Sequence, residues 1–558
     1  MRKQNIFLLH FLCILFLGFL FLPKASFAQG EIDAVVEKQI KEYTLQEDGE
    51  FDYHLYKQVK LLTYNAIHKI YGETFVLYNS DYQKFTLGYS FTFMKDGTRI
   101  TTPENAFNEV LPRFAANAPA YNNLKEKVIT HTGLEIGSTI VLDYSITSSE
   151  AFLPGLMVVD GLTDLSPVNA LTVVVRIPKG KDWTYKILNT TASLNMKIEG
   201  DFKVYRWHFT NIPAHIYEPN QPDATDFLPL MMFSSLKSHK DLSKWLKKQP
   251  CFSESCSAAM IEKAQQIRKE EKEDLKVALK LQDLVVNELS LISIPANIAG
   301  FRGRAPQEVW ASAYGTPLEK AVLLSALLKA VNIDAEILTI VPESYSMDMP
   351  NPFLWDDFYI AFDPGTRGRK PIYLSVREIN DKDLPLKIGK RKLLPIPGLS
   401  GIRENNSSNE LNHASLEKEI KMDEKGDVTG GVSVRKEGKY LFMSLPVPEK
   451  GLETWHMGEL TVMRDSPFEI AYPLSEEIKL SIELPANVEL ISTITDKQID
   501  NKAGKFDFKI AKEGNKLTIQ KNITLMNLTH DPAAYSDFRD LVNTWSSKMF
   551  KEVIFIIK

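Results

Sequence analysis

Thiols and imidazoles are scarce in this 558-residue chain, and scarcest where chemistry would need them: of three cysteines and ten histidines, none lies between Ser257 and Asn412. A thiolate nucleophile needs a helix N-terminus or an imidazolium to lower its pKa, and the base closest to neutrality is most often histidine. That middle stretch cannot supply a Cys-His centre from its own residues. Positive charge is not in excess either: 66 Lys+Arg against 71 Asp+Glu leave a net charge of -5, with the signs interleaved. Without a basic stripe, no nucleic-acid partner is expected. Beyond residue 22 no apolar run is long enough to span a bilayer, so no transmembrane segment is expected after the leader. Low-complexity tracts and fixed-period repeats are missing as well, which excludes a solenoid.

What is present begins with a leader. Met1 to Ala28 carries Arg2 and Lys3, an apolar run from Ile6 to Leu22, and Ser26-Phe27-Ala28 as a small-x-small cleavage site. This pattern predicts a secretory signal peptide over residues 1–28 and a periplasmic or secreted mature chain. Cys13 falls inside the apolar run, without the small residues that precede a lipoprotein cysteine. Cys251 and Cys256 remain, in the loop Pro-Cys-Phe-Ser-Glu-Ser-Cys. In an oxidising compartment that spacing predicts a local disulfide rather than a metal site, since no histidine or third cysteine is near. Neither a metal nor a cofactor is expected.

The length predicts about three domains. Residues 29–237 pattern as a β-sandwich, with strands over Thr74–Tyr78, Lys84–Met94, Ser138–Thr147, Ala170–Ile177 and Lys203–Thr210, and one helix over Tyr56–Ile70. Residues 238–395 begin with helix, in a short piece Asp241–Leu246 and a long segment Ala258–Leu289. The charge run Arg268 to Asp274 within it reads as a solvated face laced by i,i+4 pairs. Leu384 to Asn412 reads as a linker because of its prolines, its glycines and the Asn405–Asn409 run. Residues 396–558 are β-patterned again, with strands at Ile420–Met422, Val432–Val434, Leu460–Met463, Ile478–Leu484 and Lys516–Leu525. A helix over Ala533–Met549 and a closing strand Val553–Ile557 follow.

The most informative stretch runs from Ala305 to Val341. Thr316 is a good N-cap, Pro317 suits the first helical position, and Glu319 completes a Thr-x-x-Glu capping box. The helix that follows is apolar nearly all round, from Ala321 through Val331, and should be buried on most sides. Asn332 stops it, and Ala335–Val341 reads as a buried strand.

With Trp310 before it, and Phe358–Phe362 and Ile372–Leu374 after it, this helix and strand resemble the core of the transglutaminase-like superfamily, the papain-like cysteine enzymes. There the helix opens on Gly-Asp-Cys-x-Asp-Lys-Ala, with a histidine on the next strand and an aspartate on the one after. Gly315, Lys320 and Ala321 match that motif, but Pro317 stands where the nucleophile would be. The histidine position falls on Asp357, or on Asp356 if the register slips by one, and the aspartate position falls on Ser375. The resemblance therefore implies a papain-like core whose three catalytic side chains are replaced. The first domain in turn resembles the β-sandwich of unassigned role that precedes such cores in secreted proteins of the Bacteroidetes type. The features carrying that likeness include Lys95-Asp96-Gly97, Ala118-Pro119-Ala120-Tyr121, Gly133 to Ser138, Arg176 to Gly180, and Trp207 with Asn211 to Ala214.

Other residues invite sharper readings, each with a plainer counterpart. Asp356 and Asp357, with Glu319 or Glu343, offer carboxylates for hydrolysis, yet adjacent strand residues face opposite ways and cannot share one site. Trp355 either lines a groove or fills the core. His131, His208, His215 and His239 are too scattered to mark a centre, and Arg302, Arg304, Arg367 and Arg369 form an anion site or are solvated loop side chains. The fold class expected is a multidomain α+β chain: an N-terminal β-sandwich, a central transglutaminase-like α+β core and a C-terminal β-sandwich. The function expected is non-catalytic, binding or scaffolding in the cell envelope, with a polypeptide or glycan ligand met by Thr316, Trp355 and Asp356. Two alternatives stand beside it, an active transglutaminase-like cysteine peptidase or amide transferase, and a purely structural envelope protein.

Overall fold

The computed structural model describes residues 32–253, 256–363, 371–379, 384–389, 391–404, 411–455 and 457–558. The expected leader, the Asn405–Asn409 run, Arg367 and Arg369 lie outside the described residues.

The strand Ala34–Leu45 alternates buried and half-buried residues along its length, the mark of a sheet with one face in a core. It pairs antiparallel with Phe51–Leu61 and parallel with Val168–Pro178, at the middle of an eight-stranded sheet. Two three-stranded sheets cover that face. Over one half, Val36, Val173 and Val175 pack with Met157, Met231 and Phe233. Over the other, Leu55, Leu142 and Ile146 pack with Val76 and Ile129. All five strands expected here are present, as Glu73–Asn79, Gln83–Phe93, Thr139–Ser148, Val168–Pro178 and Phe202–Ile212.

The expected helix over Tyr56–Ile70 is a correction. Phe51–Leu61 is a strand, and the helical turn is confined to residues 64–70. Phe51, Leu55, Val59 and Leu61 are buried, and the spacing of four among the first three satisfies both a helical and a strand period. Strand pairing on both sides decides between them.

In the central region the helix Pro317–Lys329 is enclosed by the helices Ala258–Glu270 and Asp274–Asn287 and by a sheet in one core. The expected single segment Ala258–Leu289 is broken between them, where Glu271 leaves helical geometry. Leu323, Leu324, Leu327 and Leu328 are fully buried, each contributing about 1.5–3 kcal/mol of transfer free energy. Asn332 adopts the left-handed conformation, φ 60°, that ends the helix. The chain then enters an antiparallel sheet ordered Ile372–Ser375, Phe358–Phe362, Ala335–Val341, Lys392–Ile396, Arg403–Glu404. Lys392–Ile396 and the helix Leu384–Ile388 fall inside the expected linker, which is a second correction. Pro395 is tolerated in a strand because proline loses only its own N–H, and Leu393 and Leu394 are buried against the neighbouring strand.

The C-terminal region builds a six-stranded sheet and a four-stranded sheet around a third core, closed by the helix Tyr535–Ser546 and the strand Glu552–Ile557. Leu460–Met463 is not a strand; Val462 and Met463 are exposed in a loop. Among the described residues no helix is long and apolar enough to cross a membrane.

Candidate functional site

The site grows from the first turn of Pro317–Lys329. Thr316 caps it, its hydroxyl accepting from Glu319 N at 3.3 Å, while Glu319 accepts from Thr316 N at 2.9 Å. Glu319 does more than complete the box. Buried at 1% exposure, it also accepts from Arg304 N at 2.8 Å, Arg304 Nε at 2.9 Å, Arg304 Nη2 at 3.0 Å and Tyr121 OH at 2.7 Å. Tyr121 belongs to the N-terminal region, so one carboxylate ties that region to the core helix. A buried charge is tolerable when paired and hydrogen-bonded to this degree.

In front of this turn lies a cleft of about 250 Å³, walled by Thr316, Pro317, Leu318, Trp355, Asp356 and Phe358, with Tyr121 and Arg377 at its sides. All three residues expected to bind, Thr316, Trp355 and Asp356, are therefore brought together. Trp355 is half-buried and meets Phe301 edge-on at 5.7 Å, so it is both groove wall and core. Asp356 opens onto the cleft, yet the protein around it draws its carboxyl above the usual range, aided by Asp357 and Asp223.

Asp357 and Ser375, the other two positions expected to be degenerate, stand apart from the cleft. Asp357 turns aside to accept from Arg377 Nε at 2.7 Å, and it is Asp356 that faces Pro317's cleft. Ser375 is buried opposite Tyr359, its hydroxyl accepting from Arg377 N at 3.1 Å. Of the hydrolytic pairs, Glu319 is consumed by Arg304, whereas Glu343 and Asp356 line a common cavity.

Neither cysteine enters the cleft, and the disulfide is a correction: both Cys251 and Cys256 are free. Cys251, in the turn Pro250–Phe252, is sealed beside Gly303, where an added Cβ would meet its sulfur at 3.5 Å. Burial pushes this thiol up to about 12, and Glu319 pushes the same way. Cys256 instead donates to Ala326 O on the far side of the core helix, at 3.8 Å. The histidines serve structure: His131 bonds Thr74, His208 bonds Thr172, His239 bonds Tyr345, and His215 packs edge-on to Phe227. Arg302 and Arg304 hold Gln249 and Glu319, so they form no anion site.

Sequence reasoning missed a larger cavity of about 600 Å³ behind Asp356. Its walls come from 217–226 in the N-terminal region, from 340–391 in the centre and from 455–471 in the C-terminal region. Contacts between these segments pin it: Glu469 N donates to Asn220 O at 2.7 Å, Ser466 N to Glu218 at 2.7 Å, and Arg391 pairs with Glu469. No local signal marks residues so far apart in the chain.

Residues 47–216 match a family described as a Domain of Unknown Function with solved-structure structure (DUF3857), and residues 439–555 match a second of the same description, DUF3858. No curated protein matches the chain. A crystal structure described as a "putative protease" from Parabacteroides distasonis superposes with a TM-score of 0.78 at 29% identity, over 94% of this chain and 99% of that one. A substrate-bound M1 zinc metallopeptidase mutant from Deinococcus radiodurans reaches a TM-score of only 0.18 at 12% identity, over 36% of this chain and 42% of its own, which bears on nothing argued below.

Proposed function

We propose that this chain is an exported, non-catalytic relative of the transglutaminase-like enzymes, which binds an extended polypeptide or glycan in the cleft before the core helix. The observation carrying this reading is Pro317. It occupies the helix position where a nucleophile would stand, facing an open cleft with Asp356 across it. Proline has no reactive heteroatom, and among the described lining residues there is neither cysteine nor histidine. The cleft itself persists, which favours binding over a purely structural role. Resemblance to the Parabacteroides protein supports a peptide-handling ancestry, and the leader pattern supports export.

The active-enzyme reading predicts turnover, and the test is direct. Purified chain should release no ammonia from a glutaminyl peptide and cleave no casein, while a labelled peptide library should show saturable binding. Pro317→Cys should alkylate readily, because a helix N-terminus favours the thiolate. It should still turn over nothing, since general acid–base catalysis supplies on the order of 10²- to 10⁴-fold and no base stands beside it. Turnover by the unaltered chain would overturn the reading.

A further inference from the structure

The strand Leu194–Glu199 ends one side of the eight-stranded sheet. It pairs antiparallel with Phe202–Ile212, and among the described residues its other side pairs with no strand. A free edge is a template for a further strand, and sheets normally blunt theirs with charge. The C-terminal sheets do so: the edge strand Asp496–Asn501 carries Asp496, Lys497 and Asp500, and Val434–Glu437 carries Arg435, Lys436 and Glu437. Leu194–Glu199 is different. Leu194, Met196 and Ile198 are 42%, 51% and 64% exposed, and the two-residue period puts all three on one face.

That face is the inner one. Cross-strand partners share a face, and Leu194 lies opposite Trp207 and Met196 opposite Tyr205, both packed into the core of the N-terminal sandwich. Tyr185, on the edge strand Thr184–Leu188 of the covering sheet, meets Trp207 at 5.1 Å and is itself 38% exposed. The interior of the sandwich is therefore left open along this row. The strand is nonetheless held in place, because on its other face Glu199 pairs with Arg176 and Arg206, each at 2.9 Å.

A second copy related by a two-fold axis supplies an antiparallel mate and keeps each face on its own side, so residues of like parity meet. Near the middle of the strand three centres are available. An axis through Lys197 sets two lysines face to face, which is destabilising. An axis through Asn195 leaves Ile198 with no strand residue opposite. An axis through Met196 sets Leu194 against Ile198 of the second copy, Met196 against itself and Asn195 against Lys197, with no like charges opposed. The edge is self-complementary in that one register.

We infer that the free edge Leu194–Glu199 is a docking surface for a second copy of this chain, joined antiparallel about a two-fold axis through Met196. None of its residues lines the cleft or the larger cavity, so the inference stands apart from the binding role proposed above.

Sedimentation velocity of the purified chain, from the low micromolar to the millimolar range, tests it. An edge of six residues is a small interface, so a dimer of micromolar or weaker affinity is expected. Met196→Lys should raise the dissociation constant at least about tenfold, since it opposes like charges on the axis. Ile216→Lys, at an exposed apolar position outside the strand, should leave it unchanged. In a Cys256→Ser background, a short bismaleimide should join Met196→Cys to itself. Leu194→Cys or Ile198→Cys alone should not be joined, because each lies about 13 Å along the strand from its own copy, whereas a mixture of the two should be. Thermal melts check that each variant folds, and the crosslinking decides the matter if Met196→Lys does not. A chain that stays monomeric throughout overturns the inference, as does a dimer indifferent to Met196→Lys. Crosslinking that does not favour position 196 over positions 194 and 198 overturns the two-fold pairing.

Discussion

Cys251 shows how environment, not residue type, decides reactivity. Its thiol lies close to the core helix N-terminus, yet Gly303 and Glu319 close over it, so burial and a nearby negative charge hold it protonated. Cys256 is half-buried, and its thiol is also raised, first by burial, with Lys329 opposing. Free-thiol titration of denatured, unreduced protein should therefore count both Cys251 and Cys256, and native protein should be alkylated by iodoacetamide at Cys256 well before Cys251. Recovery of a disulfide-linked peptide joining the two would contradict the structure. Pro317 makes the complementary point: a residue well suited to helix initiation is chemically inert where it walls the cleft.

At the level of elements, the first turn of Pro317–Lys329 depends on one buried carboxylate. Glu319 accepts bonds from Arg304, Thr316 and Tyr121 and so couples helix start, preceding loop and N-terminal region. Removing one member of such a pair leaves the other charge buried and unmatched, at a cost of about 3–5 kcal/mol. Glu319→Ala should lower the unfolding free energy obtained from chemical denaturation by that amount. Tyr121→Phe should cost less, about 1.5–3 kcal/mol, because it deletes a single hydrogen bond to a charged group. If Tyr121→Phe proves neutral, the contact between the N-terminal region and the helix does not hold in solution. The contrast between Asp356 and Asp357 belongs here as well. Just ahead of the strand Phe358–Phe362, one lines the cleft and the other accepts from Arg377.

Across the whole molecule, three cores each carry their own polar burden, and the C-terminal one sets a pH dependence. Lys521, 2% exposed, donates to Trp545 O at 2.8 Å with its Nζ 4.1 Å from the Trp545 ring; Glu476, 1% exposed, accepts from Leu452 N at 2.8 Å. Burial pushes Lys521 down to about 7 and Glu476 up to about 7. The lysine binds fewer protons folded than unfolded between pH 7 and its ordinary 10.5, so its contribution to stability rises with pH there and falls as pH drops toward 7. The glutamate binds more protons folded than unfolded between its ordinary 4.5 and pH 7, so its contribution is full below 4.5 and lost as pH rises to 7. Stability from this pair is thus lowest near neutrality. Lys521→Met should be at least as stable as the unaltered chain at pH 7, and the gain should shrink by on the order of 3 kcal/mol toward pH 10.5. Urea denaturation at pH 7 and pH 10 measures it; a pH-independent difference would show that Lys521 is charged and well solvated.

Strand and helix assignment was legible wherever periodicity was unambiguous. Ala335–Val341, Phe358–Phe362 and Lys516–Leu525 follow from runs of apolar or alternating residues, and the core helix follows from a capping box with proline behind the cap. Those signals are local, and local chemistry suffices to read them. Phe51–Leu61 was not legible, because its apolar spacing of four fits two periods and only the pairing of Ala34–Leu45 and Thr139–Ser148 on either side chooses one. Pro317 behind the helix cap was likewise written in the sequence, as were Thr316, Trp355 and Asp356 as candidates for one site. What the sequence could not hold was the burial of Cys251, the five bonds converging on Glu319, or the cavity that Asp226, Asp356 and Trp455 share. Each depends on segments hundreds of residues apart being held against one another, and that arrangement is a property of packed cores rather than of any stretch of chain.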